Sequence, residues 1–478
     1  LHRDEFLHLD QGHHIAWGFV SVPPLTSWFA WIIFRLGGGE FWVKFFPALF
    51  GALTMVFTWK IVEELKGKLF ACLLATTAVM LSAILRLNTL FQPNSFDVLS
   101  WTLVYYFLVC FINRKDNRFL YCVALAAGFG FLNKYSIVFL LAGLFFALLA
   151  SPERQLFWRR QTLLSILIGV VIILPNIAWQ VQHGWPVIHH MKELTDTQLV
   201  NVNRGDFLKE QLLFFLGCCW IFFFTAYGLA RNPELKPFRW IGYSYMVTLS
   251  LFLYLQAKGY YAIGLYPVLL AVGSVQVEKM LSVGRWKYLR PVLYVSLIAL
   301  FIPFIKFAFP VLTPEEIHAN DSLYRKLGLL RWEDGKDHTL PQDFADMVGW
   351  KELAQKVDSN YAMLKATGYT LVLTDNYGQA GAINYYSKTP GLHAVSMNAD
   401  YINWIPYDMD IRNVILVQES TDDDPGRTRE RSFFRSVTFG GELLNPWARE
   451  KGTKIYNCID ASQSIGSILK EEAAERTW

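Results

Sequence analysis

The chain divides near Pro310 into two parts with different patterns of apolar and polar residues. Up to that residue, long apolar runs follow one another, and each is interrupted by a short polar or charged stretch. A helix needs about 20 apolar residues to cross a bilayer core of about 30 Å. The runs therefore predict membrane-spanning helices, placed at 41–64, 69–87, 95–112, 119–132, 136–150, 162–182, 211–230, 239–256, 261–277 and 288–309.

The apolar segment 16–34 precedes the first predicted span and has a different character. It is interrupted by Pro23 and Pro24, and it contains three tryptophans. Proline breaks the interior of a helix, and tryptophan is enriched where a membrane meets water. We therefore predict an interfacial helix here, within an external first loop that covers residues 1–40.

The region after Pro310 has no apolar run of spanning length. Residues 311–478 are rich in Asp, Glu, Lys, Asn and Gly, with short β-like runs at 369–374 and 413–418. We predict a soluble α/β domain here. The chain as a whole is predicted to be mainly α, a polytopic membrane protein with a transmembrane helical domain at 41–310.

One stretch of the predicted soluble domain is typical of a strand, a turn and a helix. Leu371 to Asp375 forms the apolar strand, and Asn376 to Gly381 contains two glycines three residues apart. This geometry either holds an anion at the start of a helix or is an ordinary strand-to-helix turn. Both interpretations stay open at the level of sequence.

The distribution of basic residues predicts the orientation of the spans. The net charge is only +4, which gives no support for nucleic-acid binding. Cytoplasmic loops of membrane proteins carry an excess of Lys and Arg. The richer set of alternate loops contains Lys66, Lys68, Arg114, Lys115, Arg118, Arg154, Arg159, Arg160, Arg231, Lys236, Arg239, Lys279, Arg285, Lys287 and Arg290. The N-terminal loop, the loop 183–210 and the soluble domain are then expected to face outward, and an outward N-terminal loop predicts a transmembrane helix before Leu1.

Acidic and basic residues share the outward ends of the predicted spans. They are Asp4, Glu5, Asp10, Arg86, Asp97, Lys134 and Lys258. A charge at the centre of a membrane helix costs about 2.5–3.5 kcal/mol, so charges at this level suggest a function. A carboxylate can deprotonate an acceptor hydroxyl while Arg or Lys neutralises a leaving phosphate. The alternative is that each Lys or Arg only extends its charge from the span end into water.

Several short motifs on the predicted outward face occur in a recognisable order. They are His2-Arg3-Asp4-Glu5-Phe6, Trp17-Gly18 with Val22-Pro23-Pro24-Leu25, Phe91-Gln92-Pro93 with Asp97 and Trp101, Asn133-Lys134-Tyr135-Ser136, Leu174-Pro175-Asn176 with Gln182-His183-Gly184-Trp185-Pro186, and Lys258-Gly259-Tyr260-Tyr261 with Tyr266-Pro267. This ordered set resembles the protein O-mannosyltransferase and aminoarabinose transferase superfamily. The Asp-Glu pair is its hallmark.

The resemblance implies a GT-C glycosyltransferase, related to family 39 and to dolichyl-phosphate-mannose-protein mannosyltransferases. It implies an inverting transfer of a sugar from a polyprenyl-phosphate carrier to a lipid, glycan or protein acceptor, without a nucleotide sugar. Asp4 is then expected to be the catalytic carboxylate and general base, with Glu5 as its supporting acid and Asp97 as the second-loop carboxylate. The expected ligands of the donor phosphate are Arg86, Lys134, Lys258 and Tyr261.

One position departs from the superfamily pattern. Many members have Pro-Asp where this chain has Pro93-Asn94. The localisation implied by the resemblance is a bacterial inner (plasma) membrane, with the active site and the C-terminal domain extracytoplasmic.

Two alternatives remain from the sequence. His183, His189 and His190 lie on one external loop, so a divalent metal is conceivable there, but their spacing fits no standard zinc pattern and we expect no cofactor. The rival function is a transporter or flippase of lipid-linked sugars. Transporters place charges and broken helices near the middle of the bilayer, frequently in repeated halves, whereas the charges here lie at span ends.

Overall fold

The computed structural model describes residues 1–197 and 199–476, and it separates into two compact units. The sheet unit consists of Leu1–Ile15, Phe19–Ser21 and the chain from Leu312 onward. The helical unit consists of Ala16–Gly18 and Val22–Val311. Residues 1–40, which the sequence predicts as one external loop, therefore contribute to both units.

The α-helices alternate with short 3₁₀ segments along the chain. In chain order the α-helices are α1 (Arg3–Gln11), α2 (Leu25–Arg35), α3 (Glu40–Glu64), α4 (Leu69–Met80), α5 (Ala83–Leu87), α6 (Pro93–Arg114), α7 (Arg118–Asn133), α8 (Ile137–Leu149), α9 (Arg160–Gln182), α10 (Pro186–Thr197), α11 (Arg204–Leu213), α12 (Trp220–Arg231), α13 (Arg239–Tyr254), α14 (Tyr266–Met280), α15 (Leu289–Ala308), α16 (Pro314–Ala319), α17 (Asp321–Lys326), α18 (Gln342–Ala345), α19 (Trp350–Leu364), α20 (Tyr377–Tyr386), α21 (Thr428–Phe433) and α22 (Ile465–Arg476). The 3₁₀ helices are Pro152–Trp158, Leu199–Asn201, Pro233–Phe238, Gly259–Leu265, Gly284–Tyr288, Lys365–Thr367 and Ala399–Trp404.

Five helical segments of the described chain are long and apolar enough to cross a membrane. They are Glu40–Glu64, Pro93–Arg114, Arg160–Gln182, Gly259–Met280 and Gly284–Ala308. A sixth span results if α8 and the 3₁₀ helix Pro152–Trp158 are counted together, although the two are bent by 115°. The prediction of several membrane-spanning helices is therefore confirmed.

Other predicted spans are shorter or broken in the structure. The predicted span 69–87 divides into α4 and α5, because the chain leaves the helix at Leu81 and Ser82 begins a new one by accepting a hydrogen bond from the amide of Ile84. The predicted span 211–230 divides likewise into α11 and α12 around Gly217. An average of hydropathy along the sequence does not detect such local breaks.

Burial distinguishes the central helices of the helical unit from the peripheral ones. The percentages are taken over an apolar stretch of 18 residues in each span. In that stretch 89% is buried for Gly259–Met280, but only 17% for Arg160–Gln182 and 11% for Gly284–Ala308. The exposed apolar side chains of the last two suit contact with lipid. The 3₁₀ start of the central span fits closely against α6, because a Cβ at Gly264 would lie 2.6 Å from the Trp101 ring.

The sheet unit contains five strands in the order β2-β1-β3-β5-β4. They are β1 (Thr370–Thr374), β2 (Ala394–Ser396), β3 (Asn413–Gln418), β4 (Phe434–Glu442) and β5 (Lys454–Ala461). β2, β1 and β3 are parallel, whereas β5 is antiparallel to both β3 and β4. The small sheet with its helices agrees with the α/β pattern read from the sequence.

The first helix of the chain packs in the sheet unit. Phe6 of α1 is fully buried, with its ring centroid 5.8 Å from Trp350 and 5.6 Å from Tyr386. At Gly381 of α20 a Cβ would lie 2.7 Å from the Cβ of Phe6, so only glycine allows α1 and α20 to approach this closely. The two glycines of the strand-turn-helix motif therefore pack beside α1, which favours the ordinary strand-to-helix interpretation.

Candidate active site

Asp97 lies in the first turns of α6 in the helical unit, where its carboxylate is held by two side chains. The indole Nε1 of Trp101 donates to Oδ1 at 3.0 Å, and the Ser136 hydroxyl lies 3.1 and 3.0 Å from the two carboxylate oxygens. Asp97 is buried. These contacts give the carboxylate a fixed orientation.

Lys134 follows α7 and comes close to several of the predicted residues. Its Nζ donates to Asn94 Oδ1 at 2.8 Å, and it lies 4.5 Å from the ring centroid of Tyr261. The charge of Lys134 is attracted by Asp97 and repelled by Lys258. The structure thus brings Asp97, Lys134, Lys258 and Tyr261 into one cluster. Asn94, which accepts the hydrogen bond from Lys134, is a neutral amide. Many superfamily members have Asp at this position.

The motifs recognised in the sequence are joined by hydrogen bonds in the helical unit. Asn133 Nδ2 donates to the carbonyl oxygen of Pro93 at 2.8 Å. The Tyr135 hydroxyl donates to Asn176 Oδ1 at 3.1 Å, and Asn176 Nδ2 donates to the carbonyl oxygen of Trp17 at 2.7 Å. Segments separated by dozens of residues therefore meet at the same ends of their helices.

Arg86 belongs to a turn near the end of α5. Its guanidinium donates to the Thr89 hydroxyl at 3.3 Å, and the Nζ of Lys44 donates to the carbonyl oxygen of Thr89 at 3.0 Å. Lys44 was not among the predicted site residues. It lies in the first turns of α3, and its position in the sequence gives no sign of this contact with a turn 45 residues later.

Asp4 lies on α1 in the sheet unit, and its carboxylate has an unexpected partner. The Tyr377 hydroxyl donates to Asp4 Oδ1 at 2.8 Å. The Asp4 side chain keeps 42% of its surface exposed. Burial alone would raise its pKa, but His2, the Tyr377 hydrogen bond and Arg3 outweigh that effect and hold the pKa of the carboxyl below its usual value. The Asp4 carboxyl is therefore partly exposed and its ionised form is favoured.

Glu5 differs from its neighbour in both burial and contacts. It is fully buried, and its Oε2 accepts a hydrogen bond from the amide of His2 at 2.7 Å. The His2 ring in turn accepts from the amide of Asp4 at 3.2 Å, which completes a capping box at the start of α1. Glu5 thus stabilises the helix that presents Asp4.

The histidines considered as metal ligands from the sequence, His183, His189 and His190, belong to no metal-binding group among the described residues. Within residues 1–197 and 199–476, no group of three or more His, Cys, Asp and Glu side chains is arranged to hold a metal ion. The His183 ring stacks on Trp179 with the ring centroids 4.1 Å apart.

Comparison with known proteins gives matches in sequence and in fold. Residues 21–179 match the family model described as dolichyl-phosphate-mannose-protein mannosyltransferase. Over 252 residues the chain is 23% identical to the lipid A galacturonosyltransferase RgtD of Rhizobium johnstonii. That alignment covers 49% of this chain and 51% of RgtD, so the chain spans about half the length of this curated relative.

Two solved structures share the fold over nearly the whole chain. The apo structure of ArnT from Cupriavidus metallidurans has a TM-score of 0.64 at 12% identity, covering 96% of this chain and 93% of ArnT. The ArnT structure bound to undecaprenyl phosphate has a TM-score of 0.61 at 13% identity, covering 95% and 92%. Together with the family match, the shared GT-C fold confirms the resemblance stated from the sequence motifs.

Proposed function

Given its confirmed resemblance to the superfamily of protein O-mannosyltransferases and aminoarabinose transferases, we propose that this protein is an inverting glycosyltransferase. It moves a sugar from a polyprenyl-phosphate carrier to a hydroxyl or phosphate of a lipid, glycan or protein acceptor. The cluster of Asp97, Lys134, Lys258 and Tyr261 at one end of the helices carries the proposal. The undecaprenyl phosphate bound to ArnT supports a lipid-phosphate donor, and the name of RgtD supports a glycolipid acceptor.

Lys134 has the properties expected of a ligand for the donor phosphate. Its hydrogen-bond partner Asn94 is a neutral amide, so this contact does not neutralise the ammonium. Lys258 adds a second charge that repels the first, and a bound phosphate relieves that repulsion. Arg86 and the Tyr261 hydroxyl complete the proposed donor ligands. Asp97, fixed by Trp101 and Ser136, keeps the local charge balanced when no donor is bound.

Asp4 is the proposed general base. It takes the proton of the acceptor hydroxyl as the acceptor oxygen attacks the anomeric carbon, and the bond from that carbon to the phosphate oxygen breaks with its electron pair leaving on the polyprenyl phosphate. A single displacement of this kind inverts the configuration. Glu5 supports the base indirectly by capping α1, since it is buried and bonded to the backbone.

The proposed location is the extracytoplasmic side of a bacterial inner membrane. The loops richest in Lys and Arg lie at the opposite helix ends from the cluster around Lys134, which agrees with the positive-inside rule. The helix α2 follows Pro24 and exposes Trp31 and Ile32, which suits a helix that lies at the membrane interface. The test is a reporter that is active only in the cytoplasm, fused after Pro310. Activity of this fusion would contradict the proposed orientation.

The proposed reaction requires no cofactor, because Arg and Lys side chains carry the positive charge that the leaving phosphate needs. Dialysis against EDTA is therefore expected to leave turnover unchanged. If turnover were lost and Mg²⁺ or Mn²⁺ restored it, the proposal of a cofactor-independent reaction would be wrong and a metal-assisted reaction would take its place.

The test of the function uses purified protein with defined polyprenyl-phosphate sugars and a panel of lipid A-type glycolipids, glycans and proteins as acceptors. Wild type is expected to transfer sugar to at least one acceptor. Asp4→Asn is expected to lower kcat by about 10²- to 10⁴-fold, the usual contribution of a general base. Asp408→Asn, which removes a carboxylate from an exposed turn of the same unit, serves as the control.

Two results would contradict the proposal in different ways. Equal turnover by wild type and Asp4→Asn would remove Asp4 from the base role. If no donor were consumed, but the protein moved labelled polyprenyl-phosphate sugar across vesicles, the flippase alternative would be favoured.

A further inference from the structure

The geometry points to Tyr377 as a positioning residue for the reaction, whose hydroxyl holds the Asp4 carboxylate in the orientation needed for proton removal. The inference rests on the proposed function, in which Asp4 is the general base. It assigns a part in the chemistry to the region after Pro310, because Tyr377 is the first residue of α20 and is separated from β1 by two residues.

The hydrogen bond between Tyr377 and Asp4 has a fixed direction. Burial and the negative charge of Asp4 raise the pKa of the Tyr377 phenol, so the hydroxyl keeps its proton and always donates. A hydrogen bond to an ionised acceptor is about twice as strong as one between neutral groups. At 2.8 Å, this bond holds Oδ1 of Asp4 and thereby restricts rotation of the carboxylate.

The Tyr377 ring is itself held from one face. The guanidinium carbon of Arg3 lies 4.4 Å from the ring centroid, within the range of a cation–π contact. The next residue is Gly378, where a Cβ would lie 2.5 Å from the Cγ of Arg3. Glycine at this position therefore leaves the space that the Arg3 side chain occupies. The amide of Arg3 also donates to the carbonyl oxygen of Asp346 at 3.0 Å, which ties the segment to the sheet unit.

The other neighbour of the carboxylate is His2, and it too is fixed by the sheet unit. Its Nδ1 accepts from the amide of Asp4, and its Nε2 lies 3.7 Å from Asp346 Oδ2. Asp346 in turn accepts from the Arg449 guanidinium at 3.1 Å. Asp4 thus lies between two rings: Tyr377 is contacted by Arg3 of α1, and His2 is contacted by Asp346 outside α1.

A purely structural role is the competing explanation, and the chain contains a matched control for it. The Tyr401 hydroxyl donates to Asp10 Oδ2 at 2.6 Å, so it too joins the C-terminal part of the sheet unit to a carboxylate of α1. Asp10 has no part in the proposed reaction. Loss of the Tyr401 hydroxyl therefore measures what a hydrogen bond of this kind contributes to the packing of α1.

The experiment compares Tyr377→Phe with Tyr401→Phe in the full-length protein, with the transfer assay described above. Tyr377→Phe is expected to lower kcat about tenfold with little change in the donor KM, because only the base is misplaced. It is also expected to move the acid limb of the pH profile of kcat/KM upward by about one unit, because the ionised form of Asp4 loses a hydrogen bond. Tyr401→Phe is expected to leave that limb in place.

The charged and titratable groups that face Asp4 stay the same in both variants. They are His2, Arg3 and His8 on the N-terminal segment and Asp346 ahead of α19. Incorporation of 3-fluorotyrosine at position 377 provides a second variant that keeps the shape of the ring. Its more acidic hydroxyl is a stronger donor, so the acid limb is expected to move to lower pH.

The outcomes separate this inference from the function on which it depends. Equal loss of activity in Tyr377→Phe and Tyr401→Phe with an unmoved acid limb would overturn the positioning role, as would wild-type behaviour of Tyr377→Phe. Full activity of Asp4→Asn would instead overturn the base assignment itself.

Discussion

The Nζ of Lys134 donates to Asn94 Oδ1 at 2.8 Å while it lies 4.5 Å from the ring of Tyr261. This ammonium has a neutral hydrogen-bond acceptor and an aromatic face, both of which leave its charge available to an anion. The arrangement holds the lysine in place and is compatible with the proposed binding of the donor phosphate.

The first prediction concerns the charge of Lys134. Lys134→Gln keeps a donor for Asn94 but removes the charge, so the donor KM is expected to rise about tenfold or more, with a smaller effect on kcat. The measurement is initial rates at varied donor concentration. Lys209→Gln removes an exposed lysine that pairs with Asp206 at 2.9 Å, and it should leave the donor KM unchanged. An unchanged KM in Lys134→Gln would exclude this lysine from the donor site.

The second prediction concerns the hydrogen bond between Ser136 and Asp97. Ser136→Ala leaves the buried carboxylate with one donor fewer, which is expected to destabilise the protein by about 1–3 kcal/mol. Thermal unfolding in detergent measures this. Ser165→Ala is the control, since the Ser165 hydroxyl donates only to the carbonyl of Gln161 within its own helix at 2.8 Å. Equal melting temperatures for the two variants would contradict the prediction.

The third prediction concerns the pH dependence of stability through Asp10. Burial raises the pKa of Asp10 to about 7, although Asn384 and Tyr401 donate to its carboxylate. The pKa of an unfolded Asp is about 3.9, so between these two values the folded state binds the proton that the unfolded state has lost. The contribution of neutral Asp10 is therefore present below about pH 4 and is lost as the pH rises to about 7.

The measurement for Asp10 is the melting temperature of wild type and Asp10→Asn between pH 4 and 8. The advantage of wild type over the variant is expected to decline across this range and to level off above about pH 7. An advantage that grew with pH would show that the carboxylate form is the one that the fold stabilises. The difference between the two proteins isolates Asp10 from the other titrating groups, including Asp400, whose pKa burial raises to about 6.

The fourth prediction concerns the close approach of α1 and α20. Gly381→Ala places a Cβ 2.7 Å from both the Cβ of Phe6 and the hydroxyl of Tyr401, which is expected to cost about 1–3 kcal/mol of stability. Faster hydrogen exchange in residues 3–11 is the measurement. Gly426→Ala is the control, because its nearest neighbour would lie 3.7 Å away, an ordinary contact distance. An unchanged rate of hydrogen exchange in Gly381→Ala would show that α1 and α20 can move apart without loss of stability.

The membrane part of the fold could be predicted from the sequence because its signal is local. Runs of apolar residues long enough to cross a bilayer identified the spans at 41–64, 95–112 and 162–182 within a few residues. The breaks at Ser82 and Gly217 were missed, since they depend on capping and packing instead of mean hydropathy. The strand at 369–374 and the helix after Asn376 were predicted from turn chemistry and are present.

The candidate site was predictable only in part. Motifs such as Asn133 to Ser136 were recognised as units, but only the structure shows that Ser136 bonds to Asp97 and Lys134 to Asn94. Tyr377 had no signal at all. It lies 373 residues from its partner Asp4, and no pattern in a single sequence reports a contact of that separation.

The short connection between β1 and α20 has a consequence for how this protein can vary. β1 ends at Thr374 and α20 begins at Tyr377, so two residues set the rotation of the helix about its axis. An insertion of one residue there would turn the helix by about 100° and direct the phenol away from α1. Length changes should therefore be tolerated in the long loop between β3 and β4, whereas the β1–α20 link should keep a constant length in any descendant that retains the reaction.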